Sequence, residues 1–230
     1  MLKYPISSEL IQYLLSSQDC ECENNRIPSL QDLSKELGVS VARLREQLEV
    51  AKAMGLVETR PRTGIRRLPY SFYPAVRQSL SYSIHLNPAN FTAFSDLRTH
   101  LEAAYWEQAV RKLTQQDMDD LNHLVARALE KLNGTPIQIP HAEHRQLHLK
   151  LFCRLENSFV SGILEAYWEA YEEVGLNLYA DYRYLQQVWK YHQKMVDAIC
   201  TGDYATGYQA LLEHMNLLDD RPNTAVNPKR

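Results

Sequence analysis

No stretch of this chain approaches the roughly 18–20 consecutive apolar residues that a membrane-spanning helix needs. The opening Met-Leu-Lys-Tyr-Pro also lacks the apolar core of a secretion signal. A cytoplasmic protein with no membrane partner is the expectation. Cysteine is scarce, at Cys20, Cys22, Cys153 and Cys200. Cys20 and Cys22 form a C-x-C with no second pair nearby, which argues against a zinc knuckle, and free thiols suit a reducing compartment. His-Glu-x-x-His is missing, so zinc-protease chemistry lacks its base, and paired Glu-x-x-His motifs for a di-iron site are missing too. Strand-like alternation is absent after residue 70. An excess of base is absent overall, since the net charge is −3.

The charge is nevertheless uneven. Residues 40–67 hold seven Lys/Arg (Arg43, Arg45, Lys52, Arg60, Arg62, Arg66, Arg67) against Glu46, Glu49 and Glu58. A basic patch in an acidic chain is the electrostatic footprint of a polyanion partner. The same region has a recognisable layout. Residues 7–17 carry Leu10, Ile11, Leu14 and Leu15 at helical spacing, and a polar loop over 18–26 follows. Ser29 caps a helix that ends at Gly38, and Ser40 caps another over 41–54. The short glycine-containing join between them is the pattern of a helix-turn-helix, whose second helix enters the DNA major groove. Strands at about 56–60 and 65–68 then enclose a turn at Pro61–Gly64, forming a β-hairpin wing. Residues 1–69 therefore read as a winged helix-turn-helix domain. Its candidate DNA contacts are Ser40, Arg43 and Arg45 on the recognition helix, with Arg60, Arg62, Thr63, Gly64, Arg66 and Arg67 in the wing. Arg45 is expected to be the more sequence-specific of the two helix arginines.

Residues 70–90 read as a connector with a short helix around 74–84. Helices follow over 91–112, with Leu97, Leu101, Ala104 and Ala109 expected on its core face, and over 114–132, 140–154, 157–176, 178–200 and 203–218, and 219–230 is a polar tail. The fold class is thus mainly α: the winged domain, then an all-helical effector-binding and dimerisation domain over 91–218. Within it, His144 and His148 are four apart and project from one helix face. His192 and His214 lie nine residues before and eleven after the break at Thr201–Asp203. At about 1.5 Å of rise per residue they stand almost level across a helical hairpin. Four imidazoles meeting inside a bundle make a candidate site for a divalent transition metal, most readily zinc, with nickel possible. His141 is expected at its rim, and His85, His100 and His123 on the surface.

The run Leu-Gly-Val-Ser-x-x-x-Leu-Arg-Glu-x-Leu (37–48), Gly-Leu-Val (55–57) and the wing glycine Gly64 resemble the DNA-binding domain of GntR-type bacterial transcription regulators. Leu97-Arg98-x-x-x-Glu102, His144-x-x-x-His148, Asn157 and the stretch from His192 to His214 resemble the FCD effector domain of their FadR-like branch. The resemblance covers nearly the whole chain. It implies a homodimer on operator double-stranded DNA, with a bundle that holds a metal and a small carboxylate effector. Arg98 would grip the carboxylate with its bidentate fork. Glu102 would steady that arginine or a ligand imidazole; Asn157 and Tyr167 complete the candidate effector site. Two departures stand out. Val41 occupies a position where that family has arginine, and His144 stands where its metal site has aspartate. A metal sensor, with the ion as the signal, and a bundle metalloenzyme with a DNA-binding appendage are the alternatives. Nothing in the chain supplies the enzyme's positioned general base.

Overall fold

A computed structural model of the 230-residue chain describes residues 8–17, 25–62, 64–174 and 181–219. Cys20, Cys22, Thr63, Tyr179 and the tail from 220 onward lie outside the described residues. The chain divides into two compact units between Gln78 and Ser79.

The first unit holds α1 (Glu9–Ser16), β1 (Arg26–Ile27), α2 (Leu30–Leu37), α3 (Val41–Ala53), β2 (Val57–Arg60) and β3 (Gly64–Arg67). Serine hydroxyls start all three helices. Ser8, Ser29 and Ser40 accept from the backbone N–H of Ile11, Asp32 and Arg43, satisfying donors that a helix start leaves open. The strands form an antiparallel sheet in the order β1-β3-β2, with Ile65 opposite both Ile27 and Thr59. Leu10, Leu14, Ile27, Leu33, Leu44, Leu48, Ala51, Val57 and Ile65 form one aliphatic core. This is a winged helix-turn-helix with a third strand, whose first residue, Arg26, the sequence reading placed at the end of the loop over 18–26. A two-residue strand is too short for alternation to reveal; only its pairing with β3 defines it.

α4 (Tyr73–Leu86) runs through the expected connector and across the division between the units. The second unit continues with α5 (Asn90–Val110), α6 (Gln115–Asn133), α7 (His141–Leu151), α8 (Ser158–Glu173), α9 (Tyr182–Thr201) and α10 (Tyr204–Asp219). Thr114 and Asp117 form a reciprocal capping box on α6. Gly202, at φ +76°, turns α9 back into α10, in a backbone conformation that side chains with a Cβ disfavour. α9 packs on α10 and α6, α5 packs on α8 and α10, and α7 packs on α6 and α8. Gly207 brings α10 close to α5: a Cβ there would lie 2.8 Å from the Trp106 ring, whose Nε1 donates to the Tyr204 carbonyl (3.0 Å).

The inner face of α5 differs from expectation. Leu97, expected in the core, is exposed, as is Ala104. The buried positions are Phe91, Arg98, Glu102, Trp106, Ala109 and Val110. An apolar-periodicity rule misses this face because its middle carries two charges.

Candidate functional site

In the winged unit, α3 presents Arg43 and Arg45 to solvent. Arg43 is already engaged: its guanidinium lies 2.6 Å from Glu9 Oε1 on α1, and Gln47 also donates to Glu9. That bond to Gln47, with Arg43 beside it, holds the Glu9 carboxyl below the usual range. Arg45 has no ion-pair partner among the described residues. Ser40 spends its hydroxyl on the α3 cap. In the wing, Arg60 pairs with Glu58 at 2.9 Å, whereas Arg62 sits at the turn with φ +67° and its side chain exposed. Arg67 is a tether, donating to the Ser17 hydroxyl (2.6 Å) and carbonyl (3.2 Å). Arg66 is half-buried between Arg26 and Glu58 on the neighbouring strands. Arg26, which the sequence reading left in a loop, thereby joins Gly64 and Arg66 on the basic sheet; its guanidinium stands close over Gly64.

In the helical unit, α7 brings His144 and His148, α9 brings His192 and α10 brings His214 to one point. Their nearest nitrogens all lie within 4.8 Å of one another. His148 Nε2 is 3.2 Å from His192 Nε2 and 3.2 Å from His214 Nε2. The edge of a tetrahedron of zinc–nitrogen bonds is about 3.4 Å, given bonds of roughly 2.0–2.1 Å. His148, His192 and His214 are fully buried, and His144 is partly exposed. Burial first, then neighbouring imidazoles and Arg98, drive the pKa of His144, His192 and His214 well below normal. The rings are therefore neutral, which is the metal-ligating form. His144 Nε2 is buried without a hydrogen-bond partner. The donor set and spacing fit a divalent transition metal.

A buried ion pair flanks the cluster. Arg98 Nε stands 2.9 Å from Glu102 Oε1, and both side chains are inaccessible to water. The contact is an ion pair in which Nε and Oε1 have no other partner among the described residues. Burial opposes charge on each, but each overrides it for the other: the Arg98 pKa rises and the Glu102 pKa falls. Glu102 Oε2 lies 3.2 Å from His148 Nδ1, and Arg98 Nη2 lies 3.0 Å from the same nitrogen. In the tautomer with its proton on Nδ1, His148 donates to Glu102 and leaves the Nε2 lone pair facing His192 and His214; in the other, Nδ1 accepts from Arg98 Nη2. Carboxylate on one ring nitrogen and metal on the other is the usual outer support of a histidine ligand. The second nitrogens of His192 and His214 have no such partner.

Aromatic rings close the site. Arg98 lies over Tyr167 (4.9 Å) and Trp168 (5.3 Å), and Tyr167 stacks on Phe91 at 5.5 Å. Trp168 packs against His144 and His148 at 4.7 and 4.8 Å. Arg98 Nη1 and Trp168 Nε1 are buried donors with no acceptor among the described residues. Asn157 does not join this group. Its carbonyl oxygen caps α8 through Phe159 and Val160, and its amide reaches the Tyr105 hydroxyl at 3.4 Å. His141 is half-buried outside the cluster, and His85, His100 and His123 are exposed. Trp168 was legible only as an aromatic on α8; no sequence signal marks its unpaired N–H.

The FCD domain family matches residues 94–217, more than half of the chain. The chain is similar to the HTH-type transcriptional regulator LutR of Bacillus subtilis (strain 168), 23% identical over 202 residues that cover 85% of this chain and 90% of that protein. It is also similar to the uncharacterized HTH-type transcriptional regulator YcbG of the same organism, 22% identical over 213 residues, covering 93% of this chain and 87% of that one. The solved structure of Streptococcus agalactiae GntR shares the fold, with a TM-score of 0.63 at 16% identity over 91% of this chain and 94% of that one. Winged reader and helical bundle occur here in one chain, and the chain belongs to the FCD-domain family, the FadR-like branch of the GntR regulators.

Proposed function

We propose that this GntR-family regulator binds operator DNA as a homodimer through its winged unit and senses a small carboxylate in its helical unit, where His144, His148, His192 and His214 hold a divalent metal, most readily zinc. The observation that carries the reading is the meeting of four neutral imidazoles beside a buried arginine with an unpartnered nitrogen. When bound, the ion supplies a Lewis-acidic point for a carboxylate oxygen. Arg98 orients and neutralises the carboxylate, Tyr167 and Trp168 wall it, and Glu102 holds Arg98 and the His148 ring in place.

The similar proteins named as transcriptional regulators support regulation rather than catalysis. Among the described residues no helix is long and apolar enough to cross a membrane. On DNA, Arg45 is the base-reading candidate and Arg62 the phosphate candidate, because both side chains are exposed and neither has an ion-pair partner among the described residues. Binding of a carboxylate would bias the separation of two winged units on half-sites. The test is a titration of operator affinity against zinc, with and without short carboxylic acids, alongside elemental analysis. A response to an acid in the presence of zinc supports the reading. A response to zinc alone makes the ion itself the signal, and no response to either overturns both.

A further inference from the structure

We propose that in this chain the metal and an anion load as an obligatory pair, because the four-histidine cluster brings no negative charge of its own; this rests on the metal reading above. The charge balance around the site carries the argument. Arg98 and Glu102 cancel, and four neutral imidazoles add nothing, so a divalent ion leaves two positive charges uncompensated at a site where every one of these groups except His144 is buried. Burying unpaired charge is among the most costly events in a protein interior.

Glu102 does not relieve this. Its two oxygens already face Arg98 and His148 Nδ1. Among the described residues, no carboxylate makes a hydrogen bond or ion pair with His192 or His214, whose polar contacts are to His148. Two buried N–H donors meanwhile lack acceptors among the described residues: Arg98 Nη1 and Trp168 Nε1. Arg98 and Trp168 both pack against His148, so an anion that satisfies them sits beside the ion as well. Each partner creates the other's site. An aspartate at position 144 would provide one of the two missing negative charges from within the chain, and metal binding would depend less on an outside anion. His144 thus turns a metal site into a two-input site, open only when cation and carboxylate are present together.

The experiment is a zinc titration of the full chain against a chromophoric chelator, in zwitterionic buffer with perchlorate as the added anion, repeated in millimolar acetate. Acetate is expected to raise zinc affinity at least about tenfold, and zinc to raise acetate affinity by the same factor, as linkage requires. In His144→Asp, zinc should bind tightly without acetate and gain less than about threefold from it. In His144→Asn, neutral at the same position, the acetate dependence should persist. Circular dichroism checks that the variants keep their helices; should His144→Asp not fold, the wild type and His144→Asn still decide. Tight wild-type zinc binding without acetate, unchanged by it, overturns the pairing and leaves the metal reading intact. Loss of the dependence in His144→Asn overturns the charge argument. No zinc binding in either buffer, by any variant, overturns the metal reading itself.

Discussion

The two units put charge to opposite uses. The winged unit surrounds an aliphatic core with ionic groups that stay in water: Arg43 with Glu9, Arg60 with Glu58, and the unpaired Arg45 and Arg62. The helical unit sinks Arg98, Glu102 and three histidines below its surface, among Trp106, Trp168, Trp189 and Tyr167. A charge in water costs little to keep and is free to meet a polyanion. A buried charge is expensive, so it persists only where other groups, or a ligand, compensate it. On the proposed function, selectivity for a polyanion lives on the outside of one unit, and selectivity for a small ligand inside the other.

The sharpest way to break this contrast is to remove one carboxylate from each unit. Glu102→Gln leaves Arg98 buried and unpaired, and is expected to destabilise the helical unit by about 3–5 kcal/mol. Glu58→Gln breaks a solvated pair, and denaturant unfolding should barely register it. Comparable losses from the two would erase the distinction drawn here. Next in size, His192→Ala should weaken zinc binding by at least roughly 100-fold, since even an outer partner of a ligand is worth about 10–100-fold. Zinc-free operator affinity and helix content should not change. Stoichiometric zinc retained by that variant counts against the site.

On the other unit, Arg45→Ala is expected to weaken operator binding by about tenfold and relax base preference at one position, within the range for a base-contacting arginine. Zinc stoichiometry should be untouched. Arg43→Ala should cost less, because Glu9 already holds that guanidinium. The smallest effect belongs to Arg62→Ala. Filter binding across a salt series should show a slope shallower by about one, with sequence preference preserved. A change in base preference there would make Arg62 a reader rather than a phosphate contact.

Much of the winged unit was legible from local signals. The serine caps, the Gly38 turn and the arginine-rich hairpin each act within a few residues. β1 was not legible, since its two residues become a strand only by pairing with β3, about forty positions away. In the helical unit the imidazole cluster was legible for a geometric reason. His144 and His148 share a face by spacing, and His192 and His214 stand level because the arms on either side of Gly202 are nearly equal. Leu97 went astray because charges occupy the inner face of α5. The contacts of Asn157 and Arg43 were not legible because a side chain's nearest partner is a tertiary fact: one caps α8, the other meets Glu9.

By itself, then, the order of residues determined which segments coil, where they stop, which carry excess base and which histidines share a height. Those are short-range matters of backbone geometry, capping and periodicity. Only the folded arrangement decided which charges leave water, that Glu102 is shared between Arg98 and His148, and that Trp168 and Arg98 keep donors unanswered beside the cluster. The physical reason is that desolvation depends on what packs above a side chain, and those neighbours come from five different helices.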